Sequence, residues 1–125
     1  MGRKAEIMIL DDEPIVGERL RPALEKYGYH VETYTSSQEA LDRLAEKQYH
    51  VLVTDLKMKG PNGLDVLRFV KEQSPSTRVI VITGYATADK AKESMRSGAM
   101  DFIAKPFRIS QLVEQITRAL NEREP

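Results

Sequence analysis

Six residues whose side chains can bind metal ions or phosphate directly follow or close aliphatic runs in this 125-residue chain: Asp11, Asp12, Glu13, Asp55, Thr83 and Lys105. Carboxylate oxygens are the usual ligands of Mg²⁺, and hydroxyl and ammonium groups can stabilise a phosphoryl group during its transfer. An ionised aspartate can also act as the nucleophile and form an acyl phosphate. Such chemistry requires these side chains to meet at one place, so it depends on the elements that carry them.

The hydrophobic pattern predicts strands and helices in strict alternation. Three aliphatic runs are typical of strands buried on both faces, and two weaker runs bring the number to five: 7–10, 30–34, 51–54, 79–83 and 100–104. Amphipathic helices are predicted at 14–27, from Ser36 onward, and at 64–73, 87–97 and 110–121. The fourth helix is weak, because only Ala88, Ala91 and Met95 form its apolar stripe. This alternation predicts a doubly wound α/β fold with helices on both faces of a parallel sheet.

Two strand orders suit this pattern, the flavodoxin-like order 2-1-3-4-5 and the Rossmann-like order 3-2-1-4-5, and the chain length favours the first. In either order, ligands bind beyond the carboxyl ends of the strands, where the reactive residues stand. In the order 2-1-3-4-5, the first and third strands lie about 4.8 Å apart, so Asp12 and Asp55 lean toward one point. Lys105 is two strands from Asp55, about 10 Å away, a distance that its long side chain can span.

Paired carboxylates at this point predict a bound divalent cation. Two carboxylates about 4 Å apart repel by roughly 4 kcal/mol at an effective dielectric constant near 20, and a cation would offset that repulsion. The chain has no cysteine, and its two histidines, His30 and His50, are far apart in the sequence. The available ligands therefore favour Mg²⁺ over Zn²⁺.

Composition narrows the classes of function. Nineteen basic and nineteen acidic residues give a net charge of zero, which disfavours direct binding of nucleic acid or of an anionic membrane. The 41% hydrophobic share predicts one domain over 1–125, with a core at about 7–120 and a tail or linker start at 121–125. The absence of cysteine fits a reducing compartment. Neither a membrane-spanning run nor a signal peptide is visible, so a cytoplasmic location is expected.

Each reactive residue also has a purely structural explanation. Acidic residues before a helix are favoured by the helix dipole and as caps, which explains 11–13 equally well. Asp55 alone would be a turn residue, and Thr83 is a good strand former. Lys105 before Pro106 would only end a strand. The functional interpretation depends on four strands bringing complementary charges to the same edge of the sheet.

Five segments of the chain form a specific set of motifs: Asp11-Asp12-Glu13-Pro14, Asp55-Leu56-Lys57-Met58 followed by Gly63, Thr83-Gly84, Gly98-Ala99-Met100-Asp101-Phe102, and Lys105-Pro106-Phe107. Together they resemble the receiver domain of two-component response regulators over about 7–120. The segments 84–86 and 105–107 are similar to receivers of NtrC-type transcription activators. The resemblance implies the 2-1-3-4-5 fold and a function in phosphorelay signal transduction.

The resemblance implies that Asp55 accepts a phosphoryl group from a sensor histidine kinase or a phosphotransfer protein. It also implies that Asp11, Asp12 and Asp55 hold Mg²⁺, with the backbone carbonyl of Lys57 as a further ligand. Such a chain is a phosphoacceptor that assists its own phosphotransfer and dephosphorylation, and it is not an enzyme acting on a separate substrate.

The resemblance further implies a switch. Thr83 would hydrogen-bond the phosphoryl oxygen, Lys105 would pair with it, and Phe102 would be the aromatic switch residue. The Lys105–Pro106 peptide bond would be cis. The fourth helix, fifth strand and fifth helix would then shift to control output, either through a dimer formed by that face or through a C-terminal output domain absent from this chain. Lys59 departs from the family pattern, which usually has proline there.

Two other functions remain open from the sequence. One is a receiver that is never phosphorylated and only binds proteins. The other is a phosphatase of the haloacid dehalogenase type, which also forms an aspartyl phosphate. The second is disfavoured, because the Asp-x-Asp motif of that family is absent.

Overall fold

The computed structural model describes residues 4–121 as strands and helices in strict alternation. The strands are β1 (Glu6–Leu10), β2 (His30–Tyr34), β3 (Val51–Asp55), β4 (Arg78–Thr83) and β5 (Asp101–Ala104). The helices are α1 (Pro14–Glu25), α2 (Ser37–Glu46), α3 (Gly63–Gln73), α4 (Ala88–Arg96) and α5 (Ile109–Asn121). The strands pair in parallel in the order β2-β1-β3-β4-β5. This confirms the doubly wound 2-1-3-4-5 fold and excludes the Rossmann-like order.

The sheet separates two apolar cores, because successive side chains of a strand point to opposite faces. On one face, Ile9 of β1 belongs to a cluster with Leu112 of α5, and α1 covers the same side. On the other face, Leu10 belongs to a cluster with Leu67 of α3. β1, β3 and β4 are buried on both faces, so the carboxyl ends of these strands are held rigidly at one edge of the sheet.

Helix boundaries differ from the predictions by a few residues. α1 ends at Glu25, earlier than predicted, and the chain turns at Gly28, whose φ is +87°. α3 begins at Gly63 behind a reciprocal capping box, which the sequence analysis missed, between Asn62 and Asp65. No helix within 4–121 is long and apolar enough to cross a membrane. Of the tail predicted at 121–125, Asn121 is the last residue of α5, and 122–125 lie outside the described residues.

α4 packs weakly, but not through the predicted stripe. Met95 is 47% exposed and Ala88 is exposed, so the prediction that both face the core was wrong. Ser94 is the buried residue of this helix, and its hydroxyl donates to the carbonyl of Lys90 at 2.8 Å. A small hydroxyl residue lets α4 lie close to the sheet while burying little apolar surface. The helix can therefore shift at a low cost in lost hydrophobic contacts.

An ion network at the edge strand joins β2 to α2. The carboxylate of Glu32 accepts hydrogen bonds from four side chains: Tyr34, Arg43, Lys47 and Tyr49. Burial alone would raise the pKa of Glu32, but Arg43 and Lys47 outweigh it and hold the pKa well below its usual range. The ionised carboxylate therefore stabilises the fold.

Replacing Glu32 with glutamine is expected to lower the free energy of unfolding at neutral pH by about 2 kcal/mol, because Arg43 and Lys47 lose this shared counter-charge and each keeps one other carboxylate partner. A depressed folded pKa gives stability that is complete above the unfolded pKa, near 4.5, and is lost as the pH falls below it. The difference between wild type and Glu32→Gln should therefore shrink below about pH 4.5. Urea unfolding from pH 3 to 7 measures this stability difference, and the exposed Glu114→Gln variant is the control. If the difference between wild type and Glu32→Gln persists at pH 3, the ionised carboxylate is not what stabilises the fold.

Candidate functional site

A cavity of about 650 Å³ opens at the carboxyl ends of the strands. Five of the residues singled out from the sequence line it: Asp12, Glu13, Asp55, Lys57 and Lys105. Asp11 and Thr83 are buried, and neither lines the cavity. Phe102 is half-buried on β5 and packs against the core that also contains Leu67. The structure thus brings Asp12, Asp55 and Lys105 to one cavity, whereas Asp11, Thr83 and Phe102 do not line it.

Asp55 is the last residue of β3, and the backbone fixes its carboxylate. Oδ1 accepts hydrogen bonds from the N–H of Leu56 at 2.7 Å and of Lys57 at 3.4 Å. Oδ2 contacts the Nζ of Lys105 at 3.1 Å. The backbone amides therefore fix Oδ1, and Oδ2 points toward the ammonium group of Lys105.

The carboxylates of Asp11, Asp12 and Asp55 form a cluster whose oxygens lie within 4.8 Å of one another. Asp11 Oδ1 accepts from the N–H of Glu13 at 2.9 Å, whereas the buried Oδ2 accepts no well-aligned hydrogen bond. Asp12 is exposed to the cavity and makes no ion pair or hydrogen bond with any residue of 4–121. Burial raises the pKa of Asp11, against the lowering effect of Lys105. This all-oxygen set, in which the Asp12 carboxylate has no partner within 4–121, fits Mg²⁺.

Lys105 is the counter-ion of this cluster. Its Nζ lies 2.7 Å from Asp11 Oδ2, 2.9 Å from Glu13 Oε1 and 3.1 Å from Asp55 Oδ2. Burial lowers the pKa of Lys105, but these three carboxylates outweigh it and hold the pKa above its ordinary value. The ammonium group therefore offsets part of the repulsion that the sequence analysis assigned to a metal ion alone. The Lys105–Pro106 peptide bond is cis.

Thr83 ends β4, and its hydroxyl is oriented by the following loop. The N–H of Tyr85 donates to Thr83 Oγ1 at 3.0 Å, so the threonine hydroxyl acts as an acceptor in this bond. Within 4–121 its own proton has no acceptor, so it can be donated to another group. The bond also ties the position of this hydroxyl to the loop that leads into α4.

Two further contacts connect the loops around the site. The Nζ of Lys57 lies over the ring of Tyr85, 4.3 Å from its centroid, and so links the loops after β3 and β4. The hydroxyl of Ser37, on α2, donates to the carbonyl of Lys59 at 3.1 Å and anchors the loop after β3. Lys59, which departs from the motif, is thus held by its backbone. Both contacts join residues distant in sequence, so no local pattern could reveal them.

Comparisons with known proteins agree with this geometry. Residues 7–117 match the response regulator receiver domain family. The chain is 35% identical over 121 residues to the C4-dicarboxylate transport transcriptional regulatory protein DctD of Pseudomonas aeruginosa, covering 96% of this chain and 26% of that protein. The chain thus spans about a quarter of that relative's length.

Solved structures are also similar. The beryllofluoride-activated NtrC4 receiver domain dimer is 34% identical, with a TM-score of 0.90 over 95% of this chain and 98% of that chain. A CheY-like response regulator receiver domain protein from Methanospirillum hungatei is 28% identical, with a TM-score of 0.93 over 98% of both chains. The similarity therefore extends over the whole sheet that carries the cavity.

Proposed function

Because this chain belongs to the receiver domain family of two-component response regulators, a family of phosphoacceptors, we propose that Asp55 is its phosphoacceptor. The supporting observation is the carboxylate of Asp55, held by backbone amides with Oδ2 beside Lys105 at 3.1 Å. A carboxylate oxygen of Asp55 attacks the phosphorus of a phosphohistidine, the new P–O bond forms, and the P–N bond breaks. The donor imidazole leaves with the bonding electron pair, and an acyl phosphate remains on Asp55.

Mg²⁺ is the proposed cofactor of this transfer. Asp11, Asp12 and Asp55 would hold it with the backbone carbonyl of Lys57, and Asp12 supplies a carboxylate that is free of other partners within 4–121. When bound, the ion neutralises the negative charge of the phosphoryl oxygens. Lys105 already lies beside Asp55, so its ammonium group pairs with the phosphoryl group once this has been transferred.

The proposed donor is a sensor histidine kinase or a phosphotransfer protein, and an apolar groove beside the site offers it a docking surface. This groove has a volume of about 450 Å³ and lies between α1 and the loop after β5. Ile15 and Ile109 line it and are 50% and 39% exposed, unusually high values for isoleucine. Lys105 lines both the groove and the cavity, so a partner docked here would lie next to Asp55. The cytoplasm is the proposed location.

The proposed output runs from Thr83 to the face formed by α4, β5 and α5. Thr83 donates its free proton to the phosphoryl group, and the Tyr85 N–H follows the hydroxyl because the two are bonded. The loop then pulls on α4, which buries only Ser94, while Phe102 repacks at the adjoining strand. A phosphoryl group can shift this equilibrium only by binding one state better, and Thr83 provides that difference. The shifted face would pair two copies of the domain or act on a C-terminal output domain.

Replacing Thr83 with alanine is expected to uncouple uptake of the phosphoryl group from the output. Asp55 keeps its backbone contacts and Lys105, so acetyl phosphate with Mg²⁺ should still phosphorylate the variant. The phosphorylation-induced chemical-shift changes over 87–120 should fall severalfold, because the loop loses its link to the phosphoryl group. Two-dimensional NMR measures both effects, with exposed Thr117→Ala as control. Full-sized shifts in Thr83→Ala contradict the proposed route.

A further inference from the structure

Glu13 is the third carboxylate that contacts Lys105, and it differs from the other two. Asp11 and Asp55 belong to the buried acidic cluster that suits a divalent cation, whereas Glu13 lies outside that cluster. Its side chain is 64% exposed, at the rim of the same cavity. The three contacts with Nζ are nevertheless of similar length, 2.7 to 3.1 Å. Lys105 is therefore shared between the buried carboxylates of Asp11 and Asp55, whose oxygens we call inner, and the exposed carboxylate of Glu13, whose oxygen we call outer.

The position of Glu13 in its helix does not explain this contact. Glu13 is the N-cap residue of α1, yet its side chain makes no capping hydrogen bond. A capping carboxylate would accept from the first free N–H groups of the helix. Glu13 instead directs its Oε1 across the cavity to Lys105, 92 positions later in the chain.

A divalent cation held by Asp11 and Asp55 would compete with Lys105 for the oxygens that its ammonium group contacts. The ammonium group now contacts one oxygen each of Asp11 and Asp55, two of the carboxylates that would coordinate the ion. Two cations sharing those oxygens would repel each other strongly at such short range. The contact between Lys105 and Glu13 can persist when the ion is bound, because Glu13 is not part of the metal cluster.

We propose that Glu13 is a positioning residue that retains Lys105 at the cavity rim when Mg²⁺ occupies the inner carboxylates. The ammonium group then stays next to Asp55 and ready for the phosphoryl group. Retention by Glu13 also lowers the electrostatic cost of metal binding, because the displaced cation keeps one carboxylate partner. This inference rests on the proposed Mg²⁺ site. It gives a role to Glu13, which is neither a proposed metal ligand nor a proposed phosphate ligand.

The test is a double-mutant cycle read by the affinity for Mg²⁺ alone, measured by isothermal titration calorimetry. Lys105→Met removes the competing charge and should lower the Kd about tenfold. Glu13→Gln should raise the Kd about threefold to fivefold in the presence of Lys105, the range expected for an exposed ion pair. Exposed Glu18→Gln, on the same helix, controls for the loss of one negative charge.

The decisive comparison is the effect of Glu13→Gln in the Lys105→Met background. If Glu13 acts by retaining Lys105, this effect falls to that of Glu18→Gln. An equal effect in both backgrounds overturns the inference, because Glu13 would then act only through its charge. Absence of Mg²⁺ binding to the wild-type chain is a different failure, since it removes the proposed cofactor itself. Thermal unfolding of each variant verifies that it is folded.

Discussion

Replacing Gly63 with alanine is expected to destabilise the fold by about 3 kcal/mol, because this position has no room for a side chain. A Cβ atom there would lie 2.2 Å from the carbonyl oxygen of Asp55 and 2.7 Å from the Cα of Leu56. Both obstacles are backbone atoms and cannot rotate away. The N–H of Gly63 also donates to the carbonyl of Leu56 at 2.8 Å, so the start of α3 is bound to the end of β3.

Urea unfolding measures this effect, and Gly84→Ala is the matched control. A Cβ at Gly84 meets nothing within 4 Å, so that substitution should change stability by less than about 1 kcal/mol. Since Gly63 packs directly on the residue proposed to carry the phosphoryl group, relief of the clash must move either α3 or Asp55. Equal stability of the two variants would contradict the close packing of α3 on β3.

Replacing Asp12 with asparagine is expected to change stability in opposite directions with and without Mg²⁺. Without the ion, the variant should unfold at a higher temperature, because Asp12 lies in a cluster with Asp11 and Asp55 and has no cation partner within 4–121. With the ion at about 100 times its Kd, the wild type should gain about 2.7 kcal/mol by mass action, and the variant should lose most of that gain.

Thermal unfolding with and without Mg²⁺ measures both effects of Asp12→Asn. Exposed Asp42→Asn is the control, since asparagine keeps the oxygen that accepts from Gln38. A lower melting temperature of Asp12→Asn without the ion would show that Asp12 supports the helix start. The carboxylate would then have a structural role and no repulsion to relieve.

Much of the site follows from the sequence, because parallel strands bring their carboxyl ends to one edge. The aliphatic runs place β1 and β3, and a weaker run places β5. The residues at the carboxyl ends of these strands, Asp12, Asp55 and Lys105, line the cavity. Asp12, Asp55 and Lys105 therefore approach each other through topology alone. Gly63 was part of the recognised motif, although the reason for it, its contact with the Asp55 carbonyl, required coordinates.

The remaining features depend on contacts that no local pattern encodes. Lys105 can reach any of several carboxylates at this edge, and only the folded geometry shows that Glu13 is one of its partners. α4 has too few apolar residues for its period to identify a buried face, so the pattern does not single out Ser94 and wrongly predicts that Met95 faces inward. The network around Glu32 joins an edge strand to the helix beside it through long side chains.

The central claim is that Asp55 carries the phosphoryl group, and intact mass spectrometry tests it most directly. Incubation with acetyl phosphate and Mg²⁺ should add about 80 Da to the wild-type chain, the mass of one phosphoryl group. The added mass should disappear when a chelator removes the ion, and it should be absent from Asp55→Asn under identical conditions. A wild-type chain that gains no mass, or an Asp55→Asn variant that gains it equally, would contradict the account.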